Sequence, residues 1–299
     1  MARRGDGVVN VLPGPLIQHA GLRAALARAA APVLEADRKL AERLARDGSD
    51  MPTRFEGAPV TLDVALRYRE VIDLIRPLYR PGIEILEVGS GAGGVTDFLQ
   101  TAVTGVDTAF ERTADRATPH LTRVEARAEA LPFADATFDV VLCVEMLEHI
   151  PGPQREAVLS ELLRVGRPGG RAVITFPADA AAGRLDRTLN DRYRRRHGAD
   201  HPWVVEHIRE GVPATEDVVA LLRRLVDGRA TVTVRKHDPA RSWLFHQTLY
   251  GVGWGYRPAA LAGLHTRSGA TLLFRALRRI RGRDHYRSII VVDRNPRAG

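Results

Sequence analysis

Ile83-Glu84-Ile85-Leu86-Glu87-Val88-Gly89-Ser90-Gly91-Ala92-Gly93-Gly94 is the stretch on which the reading of this chain turns. A short apolar run ends in four glycines within six residues, and Val95, Phe98 and Leu99 follow at helical spacing. Such a strand–turn–helix needs glycine because the backbone must turn tightly and a ligand must approach main-chain atoms closely. Gly89, Gly91 and Gly94 satisfy G-x-G-x-x-G, and Asp107 stands 18 residues after Gly89, where a carboxylate can take both hydroxyls of a ribose. The pair points to an adenosine-type ligand and leaves the chemistry open.

Working outward, short apolar strands alternate with helices. Ile83–Val88, Ala102–Val106, Leu121–Ala126, Phe138–Val144 and Arg171–Phe176 read as strands, with helices over Gly94–Gln100, Phe110–Ala117 and Gln154–Val165. A long polar stretch after Pro177 precedes a helix at Thr215–Val226 and two further strands, Ala230–Val234 and Ser288–Val292. The pattern predicts an α/β fold: a seven-stranded, mostly parallel, doubly wound sheet. Before it, Ala20–Ala31, Val33–Arg46 and Leu62–Leu74 carry amphipathic helical spacing. The expected organisation is an N-terminal helical extension (1–60), a nucleotide-binding core (61–236), an inserted cap between the last two strands (237–287) and a final strand and tail (288–299), the insertion being too long for a hairpin loop.

Glu87 narrows the ligand. A dinucleotide would place its pyrophosphate at this helix start, where a buried carboxylate repels it; a ligand with an ammonium and a sulfonium and no phosphate is suited to it, and S-adenosylmethionine is such a ligand. Here the chain resembles the class I (Rossmann-like) S-adenosylmethionine-dependent methyltransferases, in particular their type 11 small-molecule group. Four blocks between Ile83 and Pro177 carry the resemblance: Ile85 to Gly93, Val106-Asp107, Ala128-Glu129-Ala130-Leu131-Pro132-Phe133, and Phe138 to Ile150 continuing to Leu162 to Gly170. It implies that Glu87, Gly89, Ser90, Gly91 and Gly93 hold the methionine part of the cofactor and Asp107 its ribose. It further implies that Ala128, Glu129, Ala130 and Leu131 bind the adenine, with Val144 and Glu145 closing the site. A dehydrogenase is disfavoured by Glu87.

Methyl transfer from a sulfonium needs alignment in a dry pocket, and a hydroxyl acceptor also needs its proton removed. Residues just after the fourth strand should face the reacting atoms. Those are Glu145, Glu148 and His149, which share one face if they begin a helical turn. His149 is the expected general base, beside the plainer reading of Glu148-His149 as a structural pair. Glu-x-x-Glu-His also resembles the divalent-metal site of small-RNA 3′-end 2′-O-methyltransferases and of some quinone-pathway O-methyltransferases. On that reading Glu145, Glu148 and His149 need a fourth ligand, His201 or His207, with His201 taken first; a metal is not the expected outcome. The expected activity is O-methylation of a small-molecule or glycan-type acceptor. The alternatives are a metal-assisted RNA 2′-O-methyltransferase and a non-catalytic membrane- or partner-binding protein on the same fold.

Composition sets the outer bounds. The 299 residues hold 44 Lys+Arg against 36 Asp+Glu, a net charge of +8, and only Lys39 and Lys236 are lysines. The surplus sits in two windows, 184–196 with six arginines and 271–287 with six more, so the rest of the chain, the glycine loop and its strands included, is not basic. Leu273, Ala276, Leu277 and Ile280 fall on one helical face and Arg275, Arg278 and Arg279 on the other. That pattern suits a solvated cap helix, or contact through 271–287 with an anionic membrane or lipid-linked substrate, with RNA ranked below both. Trp203, Trp243, Phe245, Tyr250, Trp254 and Tyr256 cluster after the core and could line an acceptor pocket or build the cap's own interior. One cysteine, Cys143, excludes an intramolecular disulfide and a cysteine-based zinc site. With no apolar run near the ~18–20 residues of a membrane span and no secretory signal pattern, a cytoplasmic setting is expected.

Overall fold

The computed structural model describes residues 62–91, 93–110, 118–250 and 282–296, with the single positions Arg28, Ala276 and Ile280. The helices expected within Ala20–Arg46, the helix expected over Phe110–Ala117 (Phe110 apart) and most of the basic segment 271–287 lie outside the described residues.

The strands are β1 (Ile85–Val88), β2 (Val103–Asp107), β3 (Leu121–Glu125), β4 (Phe138–Val144), β5 (Gly166–Pro177), β6 (Ala230–Pro239) and β7 (His285–Arg294). The helices are α1 (Leu62–Ile75), α2 (Arg155–Val165), α3 (Asp179–His197), α4 (Val204–Glu210), α5 (Thr215–Val226) and α6 (Ala240–Tyr250). One seven-stranded sheet runs in the order β3-β2-β1-β4-β5-β7-β6. The first five strands are parallel, and β7 pairs antiparallel with both β5 and β6.

All seven residues of β4 are buried, as a strand covered on both faces requires. Alternate residues serve the two layers. Leu86, Val141 and Ile174 pack with Leu159 and Leu162 of α2 and Leu222 of α5. Ile85, Val140 and Leu142 pack with Val71, Ile72 and Ile75 of α1. Cys143 is wholly buried, and burial pushes its thiol well up, so it is a core residue and no nucleophile. Successive strands step from β1 to β2 and β3 in one direction and from β4 to β5 in the other. The crevice this leaves at the carboxyl ends of β1 and β4 is where such a sheet takes its ligand.

Three departures from the expected elements have local causes. The helix over Gly94–Gln100 is a single 3-10 turn, Gly94–Asp97, because two glycines and a short apolar run cannot sustain a longer helix. The polar stretch after Pro177 is α3, whose buried stripe is Ala182, Asp186, Leu189 and Asn190. Two of these four positions are polar, which breaks the apolar periodicity in the sequence. Both are satisfied internally: Asn190 donates to Asp200 at 2.8 Å and accepts from the His201 amide at 2.8 Å, and Asp186 is paired as described below. Finally, β6 and β7 pair through His237↔Arg287 and Pro239↔His285, so the sheet reaches into both ends of the expected insertion. No helix among the described residues is long and apolar enough to cross a membrane.

Candidate active site

The glycine loop is fastened to β2. The amides of Gly89 and Ser90 both donate to the Val106 carbonyl, at 2.8 and 3.2 Å. Gly89 has φ +80°, and a Cβ there would stand 2.6 Å from Cγ of Met146, so any side chain would meet both strain and overlap. Gly91, at φ +51°, donates its amide to Oδ2 of Asp107 at 3.0 Å, while Oδ1 accepts from the Thr108 amide at 2.8 Å. Chain neighbours apart, no atom of a described residue lies within 4 Å of where a Gly91 Cβ would be. The Ser90 hydroxyl is buried with no hydrogen-bond partner among the described residues. Gly93 directly precedes the 3-10 turn.

Glu87 sits behind this loop and is fully buried. Its Oε1 accepts from the Tyr68 hydroxyl at 2.7 Å and its Oε2 from the Val95 amide at 2.7 Å. A Cβ on Gly94 would overlap that carboxyl group. Burial pushes the Glu87 carboxyl up to about 8, against the pull of both hydrogen bonds. At pH 7 it therefore carries less charge than the repulsion argument from sequence assumed, and in this structure it acts as the brace of the loop. A carboxyl whose folded pKa lies above its unfolded value near 4.5 stabilises fully below that unfolded value, and the contribution is lost as pH rises towards 8. Glu87→Gln is expected to remove this slope, a change of a few kcal/mol across the window. Urea unfolding at pH 5 and pH 8 checks it, and parallel pH profiles for the two proteins would count against it.

The loop after β3 is held from below. Ala128 and Leu131 are buried, Ala130 is exposed, and Glu129 pairs with Arg127 at 2.7 Å. The Leu131 amide donates to Glu161 at 2.8 Å, and Arg164 donates to the carbonyls of Phe133 and Leu131 at 2.7 and 3.1 Å. Glu161 and Arg164 of α2, joined at 2.6 Å, thus shape a loop to which they do not belong.

After β4 the chain bends sharply. Val144 is buried, and Glu145 takes φ +52°. Oε1 of Glu145 accepts from Thr175 at 3.0 Å and Oε2 from Arg287 at 2.9 Å, and Arg287 also pairs with Asp238 at 2.6 Å. Leu147–His149 is one 3-10 turn. Because of that bend Glu145, Glu148 and His149 do not share a helical face, and Glu145 is engaged across the sheet. Arg287, counted above in a basic surface window, is in fact one of the most buried side chains in the structure.

Glu148 and His149 meet α4 instead. One ligand-type atom from each of Glu148, His149 and His207 lies within 4.8 Å of the others. Nδ1 of His149 is 3.1 Å from Glu206, and Nδ1 of His207 is 3.2 Å from Asp186, which also accepts from the Tyr286 hydroxyl at 2.7 Å. Desolvation and the neighbouring His207 ring hold the His149 imidazole below its ordinary range, while Glu206 opposes them. His201, the histidine first taken as fourth metal ligand, is placed elsewhere. Its Nδ1 accepts from the amides of Trp203 and Val204 at the start of α4, and its ring packs on Tyr193. The grouping is therefore Glu148, His149 and His207, not Glu145, Glu148, His149 and His201.

Of the aromatics, Trp243 is buried and stacks on Tyr286 at 3.8 Å, and Trp203 and Phe245 are exposed; Trp254 and Tyr256 lie outside the described residues. Sequence reasoning missed Tyr68, Glu161, Arg164, Asp186, Glu206 and Tyr286. Only Arg164, inside the fourth block, carried a signal, and that was of family and not of role.

A family profile described as a methyltransferase domain matches residues 86–174, from β1 into β5. The chain is 33% identical over 156 residues to an uncharacterized protein of Mycobacterium tuberculosis, covering 47% of this chain and 56% of that protein. It is 34% identical over 170 residues to an uncharacterized methyltransferase of Mycolicibacterium gilvum, covering 49% and 63%. It is 36% identical over 110 residues to a ubiquinone biosynthesis O-methyltransferase of Paracidovorax citrulli, covering 33% and 44%. The chain thus spans about half the length of these curated relatives, between 44% and 63%. Residues 86–174 thus match a methyltransferase domain, and the seven-stranded sheet around them has a Rossmann-like order.

Proposed function

We propose that the protein is an S-adenosylmethionine-dependent methyltransferase that methylates an oxygen of a small-molecule or glycan-type acceptor. The observation that carries the reading is the meeting, at the carboxyl ends of the neighbouring strands β2, β1 and β4, of the glycine loop with Asp107 and of the turn bearing Glu148 and His149. The residues fit the cofactor: among the described residues the space beside Gly91 is open and the buried Ser90 hydroxyl lacks a partner, and Asp107 stands at the end of β2. Bound there, S-adenosylmethionine supplies an activated methyl group.

The chain's own work is binding and alignment. Gly89, Ser90, Gly91 and Gly93 hold the methionine part through backbone groups, Asp107 holds the ribose, and Ala128, Glu129, Ala130 and Leu131 receive the adenine, with Val144 beneath. Glu87 acts through the loop that it braces. Glu145 acts likewise, by fixing the bend that sets Glu148 and His149 beyond the carboxyl end of β4. His149, oriented by Glu206, is placed to take the acceptor's hydroxyl proton, because a neutral alcohol is a poor nucleophile. The O-methyltransferase name of the Paracidovorax citrulli relative supports oxygen as the target.

The test is incubation of the full chain with methyl-labelled cofactor and host extract, fractionated into lipid, glycan, RNA and small-molecule pools. Label in the glycan or small-molecule pool is expected. Label confined to RNA, with binding that falls steeply as salt is added, would replace this reading with the RNA 2′-O-methyltransferase. Label in no pool would favour a non-catalytic role.

A further inference from the structure

We propose that Glu148, His149 and His207 form a binding site for one divalent transition-metal ion, a two-histidine, one-carboxylate triad with open coordination positions. Three observations converge on it. First, one ligand atom from each of the three side chains lies within 4.8 Å of the other two. Second, both imidazoles are already oriented as metal ligands are: Nδ1 of His149 faces Glu206 and Nδ1 of His207 faces Asp186, at 3.1 and 3.2 Å. Each ring therefore keeps Nε2 for the site, and a carboxylate partner on the other nitrogen fixes the tautomer and raises ligand basicity. The Asp186 partner is itself anchored by the Tyr286 hydroxyl.

Third, the Glu148 side chain is only 1% exposed, and its Oε2 has no hydrogen-bond partner among the described residues. A buried carboxylate oxygen without a donor is costly, and native structures rarely leave one so. Its Oε1 stands 4.0 Å from Nε2 of His149, too far for a hydrogen bond. A cation among the three groups satisfies the orphaned oxygen and both Nε2 lone pairs at once. The His149 side chain, about one-third exposed, leaves a way in.

The donor set selects the ion. Two imidazoles and one carboxylate suit manganese, iron, cobalt or zinc, whereas magnesium and calcium prefer oxygen alone. Three protein ligands leave positions for substrate oxygen, beyond the carboxyl end of β4 where the acceptor is proposed to bind. The use of the ion in catalysis rests on the methyltransferase reading, and with the ion bound His149 would serve as a ligand in place of the base role given to it above. Binding of the ion does not rest on it.

Titration of the cofactor-free full chain with Mn2+ and Co2+, followed by calorimetry and by the Co2+ absorption spectrum, tests the site. One ion per chain is expected, with Mg2+ at least tenfold weaker. Glu148→Gln and His207→Gln should each weaken binding a hundredfold or more, and Asp186→Asn about 10–100-fold. Asp107→Ala should leave metal affinity unchanged, which separates failure of this site from failure of the cofactor assignment. Pulsed electron paramagnetic resonance of Mn2+ bound to the unmodified chain should show two imidazole nitrogens and needs no variant that folds. No uptake at millimolar ion, undiminished affinity in both ligand variants, or no imidazole coupling would overturn the proposal.

Discussion

Arg287→Met should cost the fold about 3–5 kcal/mol, the usual penalty for breaking a buried ion pair from one side. Arg287 is 2% exposed and sits between Glu145 at 2.9 Å and Asp238 at 2.6 Å. Methionine fills much of the volume but leaves two carboxyl groups without their cation. Glu145 occupies a left-handed bend at φ +52° and Asp238 another at φ +58°. The arginine therefore holds two strained corners as well as two charges: the end of β4 beside the cofactor crevice and the junction of β6 with α6. Chemical unfolding monitored by circular dichroism measures the loss. A change below about 1 kcal/mol, the range of exposed pairs, would show that the cluster is solvated and that Arg287 does belong with the surface arginines. Removing all three charges together, with apolar replacements, should recover much of the loss, because the desolvation cost disappears with the pairs.

Asp107→Ala should weaken cofactor binding about a hundredfold. The carboxylate has two tasks: it accepts from the Gly91 amide at 3.0 Å, and in the proposed complex it accepts from the ribose hydroxyls. Hydrogen bonds to a charged group are worth about 1.5–3 kcal/mol each, and 1.4 kcal/mol is a factor of ten in affinity. Losing one strong ribose contact and the tether of Gly91 accounts for two orders of magnitude. Calorimetry with S-adenosylhomocysteine measures it, and unchanged affinity would refute the assignment. Asp107→Asn, which keeps one acceptor oxygen for Gly91, should fall between the two.

These predictions draw on opposite kinds of information. Asp107 was legible because its task is local: a strand ends, a carboxylate follows, and the glycine loop lies a fixed distance upstream. The same holds for Gly89, Gly91 and Gly94, whose positive φ values answer to a turn that any strand–loop–helix of this kind must make. It holds also for β4, where seven buried residues in a row leave an unbroken apolar run that can be read as a central strand. Helix α3 was not legible, since Asp186 and Asn190 occupy its inward stripe and no hydrophobic period survives.

Arg287 and the Glu148–His149–His207 group show the remainder. In the sequence Arg287 is one of six arginines in a basic window, and nothing in its neighbours distinguishes the buried one from the exposed ones. Its partners lie 142 and 49 positions away. His201 and His207 are equally plausible ligands by spacing, and only the packing of α4 decides between them. His201 is consumed by the amides at the start of that helix, and His207 is turned towards Asp186 and His149. By itself the sequence determined the α/β class, the glycine loop and the carboxylate that closes β2, because each follows from periodicity or from residues close along the chain. The tertiary structure decided which charges are buried, which histidines meet and that Glu87 braces the loop from behind, because desolvation and side-chain convergence arise only when distant segments pack.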